Sequence, residues 1–547
     1  MSQTKAQLID AAATFTISSD ASFNSVTVGK GANSVAGNTV LGESALDASV
    51  SGGFNTAIGN TALSALTSGT HNTAVGRQAL LSTTTGSNNI AVGSGALASN
   101  TTASNNTAVG LNALNVNTTG SSLIAIGNNS LDANTTGGSN VAIGSYALSA
   151  NTTASFNVAV GGGALEANTT GSENTAVGSA ALDANTTGAN NCAFGLGSLT
   201  ANTTASNNSG FGKNTLSQNT TGSENTAMGE GALALNTTAS NNTGIGYQSL
   251  LSNTTGSENV AVGSQALDAN TTASDNTAIG YNALTSNTTG GSNTACGNAA
   301  MTSNTTGVRN TAVGQASLFN NTTGDENTAI GDDALNSNTE GGDNVAVGKD
   351  ALKANTTGAN NTALGHGCMD INTTGNNNVA VGFQAMDNNT TGSLSTGIGY
   401  NALGSNSTAD ENTAVGSFCL STNTTGSVNT AVGAKALSSN ATGSSNVAIG
   451  YEALQMNTGS NNTAVGMRAL EENTSADNNT AVGKDCLTAN TTGANNVAVG
   501  HSALDANTTG GENTAVGRHA LSANTTGASN TAIGNSVLFS NTTASNN

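Results

Sequence analysis

Apolar and polar positions follow a 17-residue pattern that repeats about thirty times along the chain. One copy, from Asn174 to Asn190, reads NTAVGSAALDANTTGAN. Its first glycine recurs every 17 residues from Gly42 to Gly450, then after 16 residues at Gly466, and again every 17 residues to Gly534. A fixed period of this length is typical of solenoids and repeat arrays.

Each copy can be numbered from this anchor glycine as position zero. Position −1 is apolar, −2 is Ala or Gly except at Val40 in the first copy, and −3 is Thr or apolar except at Ser209. Position −4 is Asn, except at Leu123 and Ser395, and +7 is Asn in every copy from Asn100 to Asn541. Position +4 is Leu in nearly every copy. Because strand side chains alternate, −3 and −1 share one face and −2 lies on the other, and a second strand pair is expected at +3 and +4.

This pattern predicts an all-β fold, a parallel β-solenoid of about 30 turns of 17 residues. Glycine at zero, and Gly or Ala at +10, let the chain turn between short strands. One copy cannot bury its apolar face alone, but stacked copies join equivalent residues into ladders. Gly, Asn and Thr disfavour a helical repeat, and the absence of Pro excludes collagen. The predicted core ladder includes Val177, Leu182, Leu267 and Leu504, and the predicted turn and ladder residues include Gly178, Asn174 and Asn185.

The small residues at −2 predict a packed contact. A position that faces solvent has no need to exclude large side chains, and a lone thin coil buries little apolar area. We therefore expect association into a homotrimer, with contact candidates at Ala142, Ala176, Gly244 and Gly397. The alternative is that −2 is an inside corner of a monomeric coil.

The shortened interval before Gly466 coincides with Asn457-Thr458-Gly459, where other copies have Asn-Thr-Thr-Gly. A slip of one residue within a strand would turn its apolar side chains outward. The deletion is therefore expected to tighten a corner near Thr458 and to leave the Leu454 and Val465 ladders unchanged.

Residues 1–37 are predicted to form an N-terminal attachment segment and cap, and residues 38–547 the solenoid shaft. Thr14 to Ser18 and Ser25 to Val28 alternate like short strands, and Gly29 is a candidate for an early, imperfect copy. No apolar run here is long enough for a signal peptide or a membrane helix. Assembly without secretion or membrane insertion is therefore expected.

The net charge of −20 argues against nucleic-acid binding, because phosphates would be repelled. Acids concentrate at +5, as in Asp183, and at +12, as in Glu173, where they predict a solvated acidic surface. A calcium-binding ladder is the alternative, although the Gly-Gly-x-Gly-x-Asp motif of calcium β-rolls is missing.

Other candidate motifs have structural explanations. Asn-Thr-Thr at +7 to +9 is a glycosylation sequon, but Asn also suits a coil corner and a stacked ladder. The adjacent Thr pair would point to opposite faces of a strand, which argues against an ice-binding surface. Tyrosines at +1 or +2 could stack on sugars, but their irregular spacing favours surface variation. The solitary cysteines are interpreted as small buried residues: Cys192, Cys296, Cys368, Cys419 and Cys486.

The four histidines lie in separate copies, and no nucleophile, base and orienting residue can be grouped. We therefore expect no enzymatic activity, no cofactor and no metal site.

The block NVAIG at 140–144 and NTAVG at 174–178 resembles the head repeats of YadA-type trimeric autotransporter adhesins. That resemblance implies left-handed parallel β-rolls wound as trimers. The full unit NTAVGxxALxxNTTGxxN is similar to arrays in tail-fibre-like proteins of marine phages, and it covers about Asn38 to Asn547.

These features predict a structural fibre of a virion, a phage tail fibre that spaces or presents a receptor-binding end. Expected partners are two further copies of the chain, a particle baseplate or tail at the N-terminus, and a cell-surface glycan or protein receptor. The alternatives are a bacterial surface adhesin or filament subunit and, from another class, an ice- or ion-binding solenoid.

Overall fold

The computed structural model describes residues 20–547, so the predicted strand at Thr14 to Ser18 lies outside the described range. The described chain consists of short β-strands joined by turns, with one 3-10 turn at Ala32–Ser34 and no α-helix. It divides into two compact units, one ending at Thr255 and one spanning Gly256–Asn547. Together they contain about 29 coils of 17 residues, which confirms the predicted parallel β-solenoid.

The first unit begins with antiparallel pairing. Strand β1 (Ala21–Phe23) pairs antiparallel with β2 (Val26–Gly29), which in turn pairs antiparallel with β3 (Thr39–Gly42). The Asp20 carboxylate accepts hydrogen bonds from the backbone N–H groups of Lys30 and Gly31, at 2.6 and 2.7 Å. Gly29 therefore ends an antiparallel strand, and its interpretation as an early copy of the coil is wrong.

Parallel pairing starts at β3 and β4, and each later coil contributes one three-residue strand. The remaining strands of the first unit are β4 (Thr56–Ile58), β5 (Thr73–Val75), β6 (Ile90–Val92), β7 (Thr107–Val109), β8 (Ile124–Ile126), β9 (Val141–Ile143), β10 (Val158–Val160), β11 (Thr175–Val177), β12 (Cys192–Phe194), β13 (Ser209–Phe211), β14 (Thr226–Met228) and β15 (Thr243–Ile245).

The second unit contains seventeen strands of the same length. They are β16 (Val260–Val262), β17 (Thr277–Ile279), β18 (Thr294–Cys296), β19 (Thr311–Val313), β20 (Thr328–Ile330), β21 (Val345–Val347), β22 (Thr362–Leu364), β23 (Val379–Val381), β24 (Thr396–Ile398), β25 (Thr413–Val415), β26 (Thr430–Val432), β27 (Val447–Ile449), β28 (Thr463–Val465), β29 (Thr480–Val482), β30 (Val497–Val499), β31 (Thr514–Val516) and β32 (Thr531–Ile533).

The interior of each coil contains the −2, +3 and +4 side chains. In the copy that starts at Asn174, Ala176, Ala181 and Leu182 are fully buried. Leu182 has a φ of 54°, a left-handed conformation that is uncommon for a branched side chain. The predicted second strand at +3 and +4 is therefore a turn, in which both consecutive side chains face inward.

The anchor glycines are required by close contact between coils. Gly178 has a φ of 136°, and a Cβ atom placed on it would lie 2.5 Å from the carbonyl oxygen of Gly195 in the next coil. No other residue type could occupy this position without moving the backbone. The period of the glycine is thus set by the stacking of one coil on the next.

Two ladders of buried asparagine amides run through the coils. At −4, the Oδ1 atom of Asn174 accepts hydrogen bonds from the backbone N and Nδ2 of Asn191, at 2.9 and 3.1 Å. At +7, Asn185 Nδ2 donates to Asn168 Oδ1 and to the Gly188 carbonyl, both at 2.9 Å. Because the interior excludes water, these bonds satisfy polar groups that would otherwise be costly to bury.

The one-residue deletion lies in a corner, as predicted. Strands β27 and β28 stay in register, with Val447 opposite Thr463, and Leu454 is fully buried. Asn457 Nδ2 donates to the Gly459 carbonyl at 2.7 Å, two residues away, whereas the equivalent bond in other coils spans three residues. Val465 keeps its register but is half-exposed on the outward side of its strand, as −1 residues are in other coils, so its expected inward orientation is wrong.

Candidate interaction surface

The −3 and −1 side chains of strands β3 to β32 point away from the coil interior, and we call these sixty positions the outer face. In β11, Thr175 and Val177 are half-exposed on either side of the buried Ala176. Neighbouring strands pair in register, so Val177 lies between Val160 and Phe194 of the adjacent strands. Each unit therefore presents two parallel rows of outer-face side chains.

The outer face contains no charged residue. Position −1 is apolar in all 30 copies, and −3 is Thr in 19, Val in seven and Ile in two, with Cys192 and Ser209 in the others. The chain as a whole has 31 acidic and 11 basic residues. The exclusion of charge from sixty solvent-facing positions marks this surface as different from the rest of the coil.

The outer face is also large. Strands are about 4.8 Å apart, and the −3 and −1 positions of one strand are about 6.6 Å apart. The seventeen strands of the second unit therefore carry a strip of roughly 500 Å². The largest apolar patch on a typical monomer covers about 300–600 Å² and is often functional. The strip is of that size, with one row mostly of threonine and one row of apolar residues.

The structure corrects the predicted position of the contact surface. The predicted trimer-contact residues Ala142, Ala176, Gly244 and Gly397 are buried within their own coil, so they cannot touch another chain. A Cβ atom on Gly397 would lie 2.8 Å from Met386 Cγ, a core residue of the preceding coil. Position −2 is therefore the inside corner that was the alternative explanation.

The predicted core ladder needs a matching correction. Leu182, Leu267 and Leu504 are fully buried, but Val177 is half-exposed on the outer face. The physical reason is space. In the coils with asparagine at +7, leucine at +4 and the asparagines at −4 and +7 fill the interior, which leaves room at −2 for a methyl group or a hydrogen atom only. The first coil has serine at +7 and accommodates the larger Val40 at −2.

The cysteines divide between these two environments. Cys368, Cys419 and Cys486 occupy +3 and are buried, and burial raises the pKa of the Cys419 and Cys486 thiols to about 12. Cys192 and Cys296 are half-exposed on the outer face, so their predicted burial is wrong. All five thiols are free.

The acidic positions form no obvious cation site. Burial raises the pKa of Asp183 at +5 above its usual value, with a smaller contribution from the neighbouring Glu166. Glu173 at +12 is exposed. Within residues 20–547, no group of three or more His, Cys, Asp or Glu side chains is arranged to hold a metal ion.

The sequon asparagines are inaccessible to modification in the folded chain. Asn185 is fully buried, and both its amide hydrogen bonds stay within the coil interior. The same position is buried in the flanking coils at Asn168 and Asn202. The Asn-Thr-Thr repeat is thus a structural element of the coil.

Sequence reasoning missed the outer face because it assigned apolar residues to the core. The signal that could have found it was the restriction of −2 to the smallest residues, which is the mark of a crowded interior. The structure brings together the buried Leu182, Asn174 and Asn185 in one coil interior and the half-exposed Val177 on the outer face.

No helix in the described part of the chain is long and apolar enough to cross a membrane. A comparison with protein-family models finds no match, and a comparison with curated proteins also finds none.

Proposed function

We propose that this chain is a structural fibre protein, a phage tail fibre that spaces or presents a receptor-binding end, assembled as a homotrimer. The observation that carries the proposal is the uncharged outer face. A bacterial surface adhesin or filament subunit would use the same architecture and is the alternative within the structural class. The proposed fibre role is mechanical and needs no catalytic group, cofactor or metal.

The outer face supports self-association for two reasons. Two copies can bring these faces together without placing like charges in contact, although each copy has a net charge of −20. Each face also has the same 17-residue period, so rows of β-branched side chains on different copies can interdigitate coil by coil. The proposed number of copies, three, comes from the resemblance to trimeric adhesin heads.

The apolar burial that the outer face offers is of the same order as the cost of association. The apolar −1 row makes up about half of the strip of roughly 500 Å² on the second unit, and its burial corresponds to about 6 kcal/mol at 25 cal/mol per Å². Association costs about 4–15 kcal/mol for lost translational and rotational freedom. The outer face of the first unit adds thirteen strands, β3 to β15, which brings the apolar contribution to about 11 kcal/mol, within the range of this cost.

The oligomeric state of the purified protein tests the proposal directly. The chain has a mass of 52.9 kDa, so light scattering should give about three times that mass. Replacing Ile126 and Ile143 together by lysine should disperse the assembly, because both are outer-face residues with exposed fractions of 39% and 38%.

The matched control replaces Asn128 and Ser145 by lysine. These exposed +1 residues lie in the same two coils and receive the same two charges. The control should keep the assembled mass. A monomer in the unmodified protein would contradict the trimer, and an intact trimer in the Ile126 and Ile143 double variant would contradict the proposed interface.

A second candidate function is suggested by the same surface. Thr at −3 and an apolar residue at −1 form rows spaced about 4.8 Å by 6.6 Å, a regular lattice of hydroxyl and methyl groups that could order water as ice-binding solenoids do. The adjacent Thr pair that argued against ice binding lies elsewhere in the coil. Freezing-point depression that is lost in the Ile126 and Ile143 double variant would favour this function, and its absence would exclude it.

A further inference from the structure

The surface of the second unit contains a row of aromatic rings that ends at an open groove. His366, Phe383 and Tyr400 occupy +1 in three consecutive coils, and Phe418 follows at +2 in the next. The first three rings are stacked, with centroids 5.3 and 5.7 Å apart. The Phe418 ring breaks the stack, since its plane lies at 75° to that of Tyr400 with a centroid distance of 4.9 Å.

The groove next to Phe418 spans three consecutive coils. Its volume is about 330 Å³, at the small end of the range of about 300–1,000 Å³ for small-molecule sites. It is lined by Phe418, Ser421, Thr422, Lys435, Ser438, Ser439 and Gln455. One aromatic ring, four hydroxyls, one amide and one ammonium group therefore face the same space.

Several of these polar groups have hydrogen-bonding capacity left over. Ser421 and Thr422 donate their hydroxyl protons to the Ser438 carbonyl, at 3.3 and 2.8 Å, which leaves their oxygen lone pairs as acceptors. The Ser438 hydroxyl and the Gln455 amide make no side-chain hydrogen bond within the described residues. Both groups can donate and accept.

The charges at the groove disfavour an anionic ligand. Lys435 is its only charged lining residue, and Lys435 Nζ already contacts Glu452 Oε1 at 3.2 Å. A net charge of −20 would also repel a polyanion. A purely apolar ligand would leave the hydroxyls and the amide without partners, which is costly.

We propose that this groove binds a neutral saccharide, with a sugar ring packed against Phe418 and its hydroxyls bonded by Ser438, Gln455 and Lys435. A pyranose has one apolar face of C–H groups and a rim of hydroxyls that both donate and accept, which matches the lining of the groove. The site would give the proposed fibre a lateral glycan contact. The lateral glycan contact rests on the proposed fibre function, whereas saccharide binding depends on the groove alone.

Saturation-transfer NMR with the full chain tests the proposal, using neutral probes such as maltotriose, lactose and N,N′-diacetylchitobiose. At least one probe should show transfer to its ring protons. Phe418→Ala and Gln455→Leu should each weaken that binding about tenfold or more. Leucine already occurs at the same +5 position in Leu81 and Leu251, so Gln455→Leu should fold.

The matched controls are Phe156→Ala, which removes another exposed aromatic ring, and Ser149→Leu, which places leucine at +5 of a distant coil. Both should bind as the unmodified chain does. The inference is overturned if no neutral probe binds at millimolar concentration, if binding survives both groove variants, or if only acidic sugars bind. Light scattering of the same samples reports on the fibre proposal separately, so the failure of one is distinguishable from the failure of the other.

Discussion

The two sides of each strand differ in a way that reverses the usual assignment of hydrophobic residues. In β11 the small Ala176 is fully buried, while the larger and more apolar Val177 is half-exposed beside it. The interior of a 17-residue coil is narrow, and its volume is taken by leucine and by asparagine amides. Size, more than hydrophobicity, therefore decides which strand residue faces inward.

The comparison also explains what the outer side is suited to. An outward position that only faced water would be expected to accept Lys, Glu or Asp in some of its copies, as the +1 position does at Lys213 and Glu230. The outer face accepts none. An uncharged surface with one row of apolar residues and one row mostly of threonine is suited to contact with a second uncharged surface.

The largest expected loss of stability is that of a lysine on the inner side of a strand, compared with a lysine on the outer side of the same strand. Ala176→Lys would force an ammonium group into the dry interior, and we expect a loss of roughly 3–5 kcal/mol in the free energy of unfolding. Val177→Lys keeps its charge in solvent and should cost less than about 1 kcal/mol in the dispersed chain. Urea denaturation, with hydrogen exchange at β10 and β12, measures both.

Ser179→Lys is the control for this pair, because lysine occurs naturally at the +1 position of other coils. Its unfolding should match that of the unmodified chain. Equal losses for Ala176→Lys and Val177→Lys would show that the strand has no distinct inner side.

A smaller loss is expected when the internal amide ladder is interrupted. Asn185→Ala removes the donor to Asn168 Oδ1, at 2.9 Å, and leaves that buried oxygen without a partner. The Gly188 carbonyl keeps a second donor, Asn174 Nδ2. One buried polar group left unpaired costs about 1–3 kcal/mol. Asn128→Ala, at an exposed position of another coil where φ is negative, should cost less than about 0.5 kcal/mol.

Denaturation of the two alanine variants under identical conditions distinguishes the buried amide from the exposed one. A similar midpoint for both would mean that the ladder adds nothing beyond the packing of its neighbours.

The fold was predictable from the sequence because its signal is the period itself. Gly178, Asn174, Asn185 and Leu182 recur at fixed positions, and only stacked coils give every copy the same environment. The direction of the strand side chains was not predictable in the same way. Alternation separates −2 from −1 and −3 but does not say which side is interior, since that depends on how leucine at +4 fills the coil.

The left-handed conformation of Leu182 was a second feature that the sequence did not reveal. Propensity rules assign such φ values to Gly or Asn, and here a leucine adopts one in order to place its side chain inside. The groove at Phe418 was also out of reach, because it depends on side chains from three coils that the pattern treats as variable.

Thiol labelling tests which cysteines lie on the outer face and which lie in the coil interior. In the Ile126 and Ile143 double variant, once dispersed, Cys192 and Cys296 should react readily with iodoacetamide, because they are half-exposed on the outer face. In the assembled protein the same two thiols should be protected. Cys368, Cys419 and Cys486 should stay unreactive in both, and mass spectrometry of tryptic peptides would show a contradiction if any of these three were labelled in the folded chain.

The smallest expected change in the free energy of unfolding is that due to the buried Cys419 thiol, and it should appear only at high pH. Burial raises the pKa of Cys419 to about 12 from an ordinary value of 9.0, so the folded state disfavours the thiolate. The stability associated with this group is therefore fully present below about pH 9 and is lost as the pH rises from 9 toward 12, where the unfolded chain ionises and the folded chain does not.

Cys419→Ala should remove this contribution, and alanine is the common residue at +3, so the coil should fold unchanged. Ser417→Ala, at +1 of the same coil, removes no thiol and is the control, so it should leave the pH dependence as it is in the unmodified chain. Urea denaturation at pH 7 and pH 10 for the three proteins measures the difference, and an equal loss for all three would show that the buried thiol does not contribute.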